Sequence, residues 1–282
     1  MDNTSYFDDQ CVQVGGQPQP LKCITCNCQY PPKKYNAVAD LSPDIIFLQS
    51  TCLQSMNNKK EFWLETKGKF IWIHSAASER KTKFTNKSSG CSIGLPKKKF
   101  KKHHVKQVLF TPSTIKGRGL FAKVKNGKFH LALFSLYPNL EKAAADTQAC
   151  KMVTEWCTEI VSEQSGRSEI FGGMDANCRF TVCPDDYDEE GVVGPAGAEW
   201  NKQSRHAPIV QKMLTEIGCY LPSTFHGCGD FATYYWYGKV AGEDSPNVDG
   251  SRIDFLFVKN KTRIVNGCVL RSNEEQWFQQ VR

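Results

Sequence analysis

Short runs of apolar residues, alternating with polar ones, fill most of this chain and give way to helical spacing in only a few places. LKCITCN is a short apolar strand. PPKKYNAVADLSPDIIFLQS follows as a Pro-started helical stretch, a turn at Ser42-Pro43 and a buried strand, DIIFLQ. FIWIHSA, CSIGLP, VKQVLFT, GLFAKVK and KFHLALFSLY then read as a run of strands. Lys125-Asn126-Gly127 separates the last two, and Asn-Gly between alternating apolar runs is a strong hairpin signal. Helical spacing takes over from about Glu141 to Glu163, where Met152, Trp156 and Ile160, with Val153 and Val161 beside them, form one apolar face. SEIFGGMDAN is a strand ending in a polar turn, and the acidic, glycine-rich segment 178–201 reads as loop. HAPIVQKMLTEIG is a second helix, stopped by Gly218. TYYWYG, RIDFLFV and TRIVNGCVL close the chain as strands.

Many strands with a few helices inserted between groups of them predict two sheets packed face to face with helices outside, a layered α/β sandwich. Residues 1–20 are polar and read as an N-terminal extension, and no repeat or long linker divides residues 21–282. A chain of 282 residues buries a substantial core, and 40% apolar with 23% charged residues argues against a largely disordered protein. The formal charge of +7 favours polyanionic partners, although a merely basic soluble protein has the same balance. Thirteen cysteines are an odd number in a long chain that opens on the polar, acidic MDNTSYFDDQ. Reduced thiols in an intracellular protein, nuclear or cytoplasmic, are the simpler account. No apolar run approaches the ~20 residues needed to span a bilayer, so no membrane partner is expected.

Polar clusters end several of the strands: TCN at Asn27, LQST at Gln49 to Thr51, LYPN at Tyr137, GGMDAN at Asp175 and Asn177, and SRID at Arg252 and Asp254. Each alone reads as a cap or turn residue. Together, carboxylates and amides at one edge of a sandwich can hold a hard cation and orient a phosphate. Asp175 and Asp254 would supply charge for Mg²⁺, Asn27 and Asn177 neutral hydrogen-bonding groups, and Tyr137 a phenol aimed at a phosphate oxygen.

In this order and spacing the motifs TCN, DIIFLQST, GCSIGL, GLFAKV, ALFSLYPN, GGMDAN, TYYW and SRIDFLFV resemble the endonuclease/exonuclease/phosphatase superfamily. The resemblance spans roughly Leu21 to Leu270 and lies closest to abasic-site endonucleases and the endonuclease domains of non-LTR retrotransposons. It implies a four-layered αββα sandwich, like deoxyribonuclease I, and Mg²⁺- or Mn²⁺-assisted hydrolysis of a phosphodiester by an in-line water. It makes Asn27 a metal-site asparagine and Tyr137 the phosphate-facing tyrosine. Asp175 becomes the residue that orients or deprotonates water, Asn177 the holder of the scissile phosphate, and Asp254 a support for the catalytic histidine or the metal network. Association with a reverse transcriptase would follow from the retroelement form.

Two departures qualify this implication. Family members continue the DIIFLQ strand with Gln-Glu-Thr, where the glutamate is the main metal ligand; here Ser50 stands in its place. A neutral hydroxyl is a poor substitute for a carboxylate toward a hard cation. The family's closing Ser-Asp-His strand also has no counterpart before Arg282.

KKKFKKHHVK is the most basic stretch. Lys97, Lys98, Lys99, Lys101 and Lys102, with Arg252, are expected to contact a nucleic-acid backbone beside the catalytic edge, with Phe100 stacking on a base as a lesser possibility. A solvated charged loop is the bland alternative. Cys23 and Cys26 form a CxxC inside a strand, on opposite faces, and so read as free thiols. The acidic residues from Asp185 to Glu190 read as a solvated loop. The leading expectation is a DNA endonuclease of retroelement type. A catalytically degenerate nucleic-acid- or protein-binding domain is the alternative, and a small-molecule or lipid phosphatase a weaker third.

Overall fold

The computed structural model describes residues 12–13, 21–28, 38, 42–54, 61–79, 89–127, 129–138, 144–164, 168–180, 191–194, 204–225, 234–238, 247–251 and 254–259. Among the described residues, thirteen strands fall in three sheets. The first, six-stranded and ordered β1-β2-β3-β6-β5-β4, contains β1 (Val12–Gln13), β2 (Lys22–Asn27), β3 (Ile45–Gln49), β4 (Phe62–Lys67), β5 (Phe70–Ser75) and β6 (Cys91–Pro96). The second, five-stranded and ordered β13-β10-β9-β8-β7, contains β7 (Val105–Phe110), β8 (Gly119–Asn126), β9 (Phe129–Leu136), β10 (Glu169–Asp175) and β13 (Asp254–Val258). β11 (Tyr234–Gly238) and β12 (Asn247–Ser251) make a separate antiparallel ribbon. Both large sheets are mixed, because β2 runs parallel to β3 and β9 parallel to β10.

Period-two alternation assigns each side chain to a layer. In β3, Ile45 and Phe47 enter the core between the sheets, while Ile46 and Leu48 turn outward onto Val38, Phe70 and Trp72. Leu131 and Leu133 of β9 likewise face the first sheet, and Ala132 and Phe134 face the helices. Those helices are α1 (Ala144–Ser162) and α2 (Ala207–Glu216), packed on the outer face of the second sheet. Ala149, Cys150, Val153, Cys157 and Ile160 form the buried stripe of α1, with Met152, Trp156 and Val161 flanking it. Cysteine serves here as a small apolar residue. All nine described cysteines are free thiols, and Cys23 and Cys26 join cores on opposite faces of β2. Two mixed sheets face to face with helices outside form the α/β sandwich expected of the deoxyribonuclease I-like fold.

Two residues within the stretch expected as an extension, Val12 and Gln13, pair with Cys23 and Lys22 as an edge strand. The hairpin expected at Asn126-Gly127 joins β8 to β9, with Asn126 opposite Phe129. α2 stops at Gly218, whose φ of 64° suits glycine. β4 and β12 were not anticipated. The strand expected at TRIVNGCVL, the loop at Asp185 to Glu190 and most of the Pro-started helix lie outside the described residues.

Candidate active site

β2 and β3 end together at Asn27 and Gln49, and Gln49 pairs in turn with Cys91 at the start of β6. In the second sheet β10 and β13 pair Asp175 with Asp254, and the end of β9 carries Tyr137 beside them. One end of the sandwich therefore collects every strand-tip residue singled out from the sequence except Arg252, which lies outside the described residues. Alternation also gives them one face. Asp175 follows Phe171, Asp254 precedes Leu256, Asn27 follows Cys23 and Gln49 follows Phe47, all with their partners in the core between the sheets.

Hydrogen bonds bridge the sheets at this end. Asn27 Nδ2 donates to Asp175 Oδ2, so the two tips meet directly. The second carboxylate oxygen, Oδ1, accepts from the backbone N–H of Asn177 at 3.2 Å, an Asx turn that carries Asn177 at φ 44°. Behind them Thr25 Oγ1 donates to Gln49 Oε1 at 3.2 Å, and Gln49 Nε2 donates to Ser135 Oγ at 3.1 Å. A backbone bond from Gly90 N to Gly117 O, 2.7 Å, closes the far side. The segment after β3 is zipped onto this clamp by Thr51 N to Gly90 O and Cys52 N to Ser89 O, both 3.0 Å. Ser50 is thereby held fully buried, at φ 55°.

Arg118 is the residue that sequence reasoning missed. It precedes β8 on the face continued by Leu120 and Ala122, and it is fully buried, its Nη1 donating to Pro138 O at 3.1 Å. Its carbonyl accepts from Tyr137 N at 2.7 Å, which places Tyr137, 6% exposed, against it. Opposite charges reach the thiol of Cys91 from the second sheet. Burial pushes that thiol up to about 12, a hydrogen bond from Ser135 opposes the rise, Asp175 adds to it and Arg118 opposes it. A guanidinium and a carboxylate thus act with opposite signs on one buried thiol. The sole sequence signal for Arg118 is a charged residue at the start of an apolar strand.

Asn27 Oδ1 and Thr51 Oγ1 are buried without a hydrogen-bond partner among the described residues. A buried acceptor beside two carboxylates is a place for a cation or a water. No group of three His, Cys, Asp or Glu side chains gathers among the described residues. A cation at this end would rest on one or two carboxylates and neutral oxygens, a donor set that suits Mg²⁺, which keeps several waters.

The basic segment lies elsewhere. β6 runs from Cys91 at the site to Pro96, so Lys97, Lys98, Lys99, Lys101 and Lys102 sit at the opposite end of the sandwich, about 20 Å away at 3.3 Å per residue. They are not beside Asn27 and Asp175, contrary to the expectation from the sequence. Lys99 pairs with Asp44 at 2.9 Å, and Phe100 is fully buried against Phe129, so it cannot stack on a base.

No protein-family model and no curated protein matches the sequence. Solved structures do match. A 3′ phosphatase, NExo, from Neisseria, bound to a product DNA hairpin, aligns at a TM-score of 0.50 and 16% identity over 84% of this chain and 86% of that one. The AP endonuclease LMAP from Leishmania major aligns at 0.50 and 14% over 84% and 78%. The endonuclease domain of TRAS1, a telomere-specific non-LTR retrotransposon, reaches 0.46 at 11% identity, covering 84% of both chains. The fold is that of the endonuclease/exonuclease/phosphatase enzymes.

Proposed function

We propose that this chain is a phosphodiesterase acting on DNA, an endonuclease of the retroelement and abasic-site kind, with its reaction centre at the Asn27–Asp175–Asp254 end. The supporting observation is the bridge from Asn27 to Asp175, which leaves the amide oxygen of Asn27 buried and unpartnered beside two paired aspartates. Asp254 and Asn27 Oδ1 would hold Mg²⁺ or Mn²⁺, which when bound supplies positive charge to a phosphate oxygen and acidifies a water. Asp175 takes the proton of the attacking water, its rotamer fixed by donors from Asn27 and Asn177. Asn177 presents its side-chain amide to the scissile phosphate, and Tyr137 donates its phenol to a phosphate oxygen. The buried guanidinium of Arg118 adds fixed positive charge near the developing negative charge.

Plasmid nicking in Mg²⁺ tests this reading. Asp175→Ala removes the proton acceptor and should slow nicking by about 10²–10⁴-fold. Nicking that persists at the unmutated rate would refute the assigned role. A second reading, a domain that binds nucleic acid without cutting it, draws on Ser50, a neutral and fully buried residue where a metal-site carboxylate would be expected. That reading predicts binding with no cleavage in any divalent cation.

A further inference from the structure

The end of the sandwich remote from Asp175 has its own organisation. Three turns meet there: the β4–β5 turn at Lys67–Lys69, the β6–β7 connection from Lys97 to His104, and the β8–β9 turn around Lys125–Gly127. They are joined to each other, because Lys97 N donates to Lys69 O at 2.8 Å and Asn126 Nδ2 donates to Lys99 O at 2.6 Å. Lys67, Lys69, Lys97, Lys98, Lys101 and Lys102 are all exposed on these turns.

Among the described residues, few carboxylates balance them. Asp44 is buried and engaged by Lys99, and Glu65 is hydrogen-bonded to the ring of His74. Glu169, at the start of β10, is a lone carboxylate at this end, in register with Leu131 of β9. The half-buried His104 is held below the ordinary histidine range by desolvation and by the neighbouring His103, Lys106 and Lys101.

We propose that this end is a second polyanion surface, which binds the phosphate backbone of a nucleic-acid duplex independently of the reaction centre. Lysines dominate it, and these are point charges that attract phosphate without the planar fork needed to read a base edge. Binding is therefore independent of base sequence. Single strands are bound by exposed aromatic platforms, but Phe100 is buried, and the one exposed large apolar residue described, Phe62, begins β4 at the other end. The scarcity of exposed large apolar side chains among the described residues also disfavours a membrane surface. The ~20 Å between the two ends, from six residues at 3.3 Å each, means that the duplex segment held here is not the one presented to Asp175. Anchoring and cutting become separable.

The experiment is fluorescence anisotropy of a labelled, random-sequence DNA duplex with the full chain over a salt series. Lys97→Gln, Lys98→Gln, Lys101→Gln and Lys102→Gln are combined in one variant, with Lys151→Gln and Lys212→Gln on the helices as the control. The fourfold variant should weaken binding by at least about tenfold. Its slope of log affinity against log salt should also fall by up to about 3.6, since each phosphate contact contributes ~0.9. The helix control should match the unmutated chain in both quantities. Unchanged affinity and slope in a fourfold variant with native circular dichroism would overturn the proposal. So would tighter binding to single strands than to duplex, or binding to phosphatidylserine vesicles with none to duplex. Pole binding that persists in a chain unable to nick DNA would sustain this proposal and count against the reaction centre alone.

Discussion

Replacing Gly173 by alanine probes how closely the two sheets approach behind the Asn27–Asp175 bridge. A Cβ at this position would lie 2.4 Å from Phe47 Cβ, 2.5 Å from Thr25 Oγ1 and 2.8 Å from Thr25 Cβ. Carbon atoms pack at about 3.5–4.0 Å, so the sheets must part by roughly an ångström. The obstructing carbons are Cβ atoms bonded to the backbone, which no rotamer change removes. Overpacking of this kind costs about 1–3 kcal/mol, and here it also strains the Asn27–Asp175 bridge one register position away. Gly172 provides the contrast. Its added Cβ would approach Phe257 Cζ even more closely, at 2.0 Å, but that atom is the end of a side chain. Urea titrations should therefore show Phe257→Leu rescuing much of the loss in Gly172→Ala. Phe47→Ala, which keeps its Cβ, should not rescue Gly173→Ala. The reasoning fails if Gly173→Ala unfolds at the unmutated midpoint, or if the two double mutants show equal rescue.

Three further outcomes are expected. Asn27→Ala removes both the donor to Asp175 and the orphan oxygen, and should raise the Mg²⁺ concentration for half-maximal nicking by about 10–100-fold, read from a metal titration. Arg118→Leu breaks the charge-assisted bond to Pro138 O and should cost about 1.5–3 kcal/mol in chemical denaturation. His74 is buried, and desolvation, only partly opposed by its hydrogen bond to Glu65, holds it below its ordinary value of 6.5. The unfolded chain then binds a proton below pH 6.5 that the folded chain refuses, so stability should fall as pH drops from 6.5, by at most about 1.4 kcal/mol per pH unit. Glu65, lowered chiefly by its bond to His74, adds a loss in the same direction at lower pH. Melting curves from pH 7.5 to about pH 5 check this, and His74→Phe should flatten them across that window.

Strand positions were legible where burial on both faces made continuous apolar runs, as in Ile45 to Leu48, or where Asn-Gly marked a hairpin. β4 was missed because FWLETK is a half-exposed edge strand, and β12 because NVDGS has almost no apolar signal. The strand-tip residues Asn27, Tyr137, Asp175 and Asp254 could be picked out because polar groups ending buried strands are conspicuous. Their convergence follows from the register that pairs Asp175 with Asp254 and Asn27 with Gln49. Arg118 was not legible, since Gly117-Arg118-Gly119 reads as a solvated turn and only tertiary packing buries its guanidinium. The basic segment was assigned to the wrong end. Nothing in the order of residues reveals that β6 starts at the site with Cys91 and carries the chain away to Lys97.

We propose that the Asn27–Asp175–Asp254 end cleaves phosphodiesters and that Ser50, in place of a carboxylate, weakens it. The most direct measurement is the rate of plasmid nicking across a Mg²⁺ titration for the unmutated chain, Ser50→Glu, and Ser50→Glu combined with Asp175→Ala. The expected result is slow nicking by the unmutated chain, faster nicking at lower Mg²⁺ with Ser50→Glu, and loss of that gain when Asp175 is removed. A folded Ser50→Glu chain that never cuts, or one whose cutting is indifferent to Asp175→Ala, would contradict it.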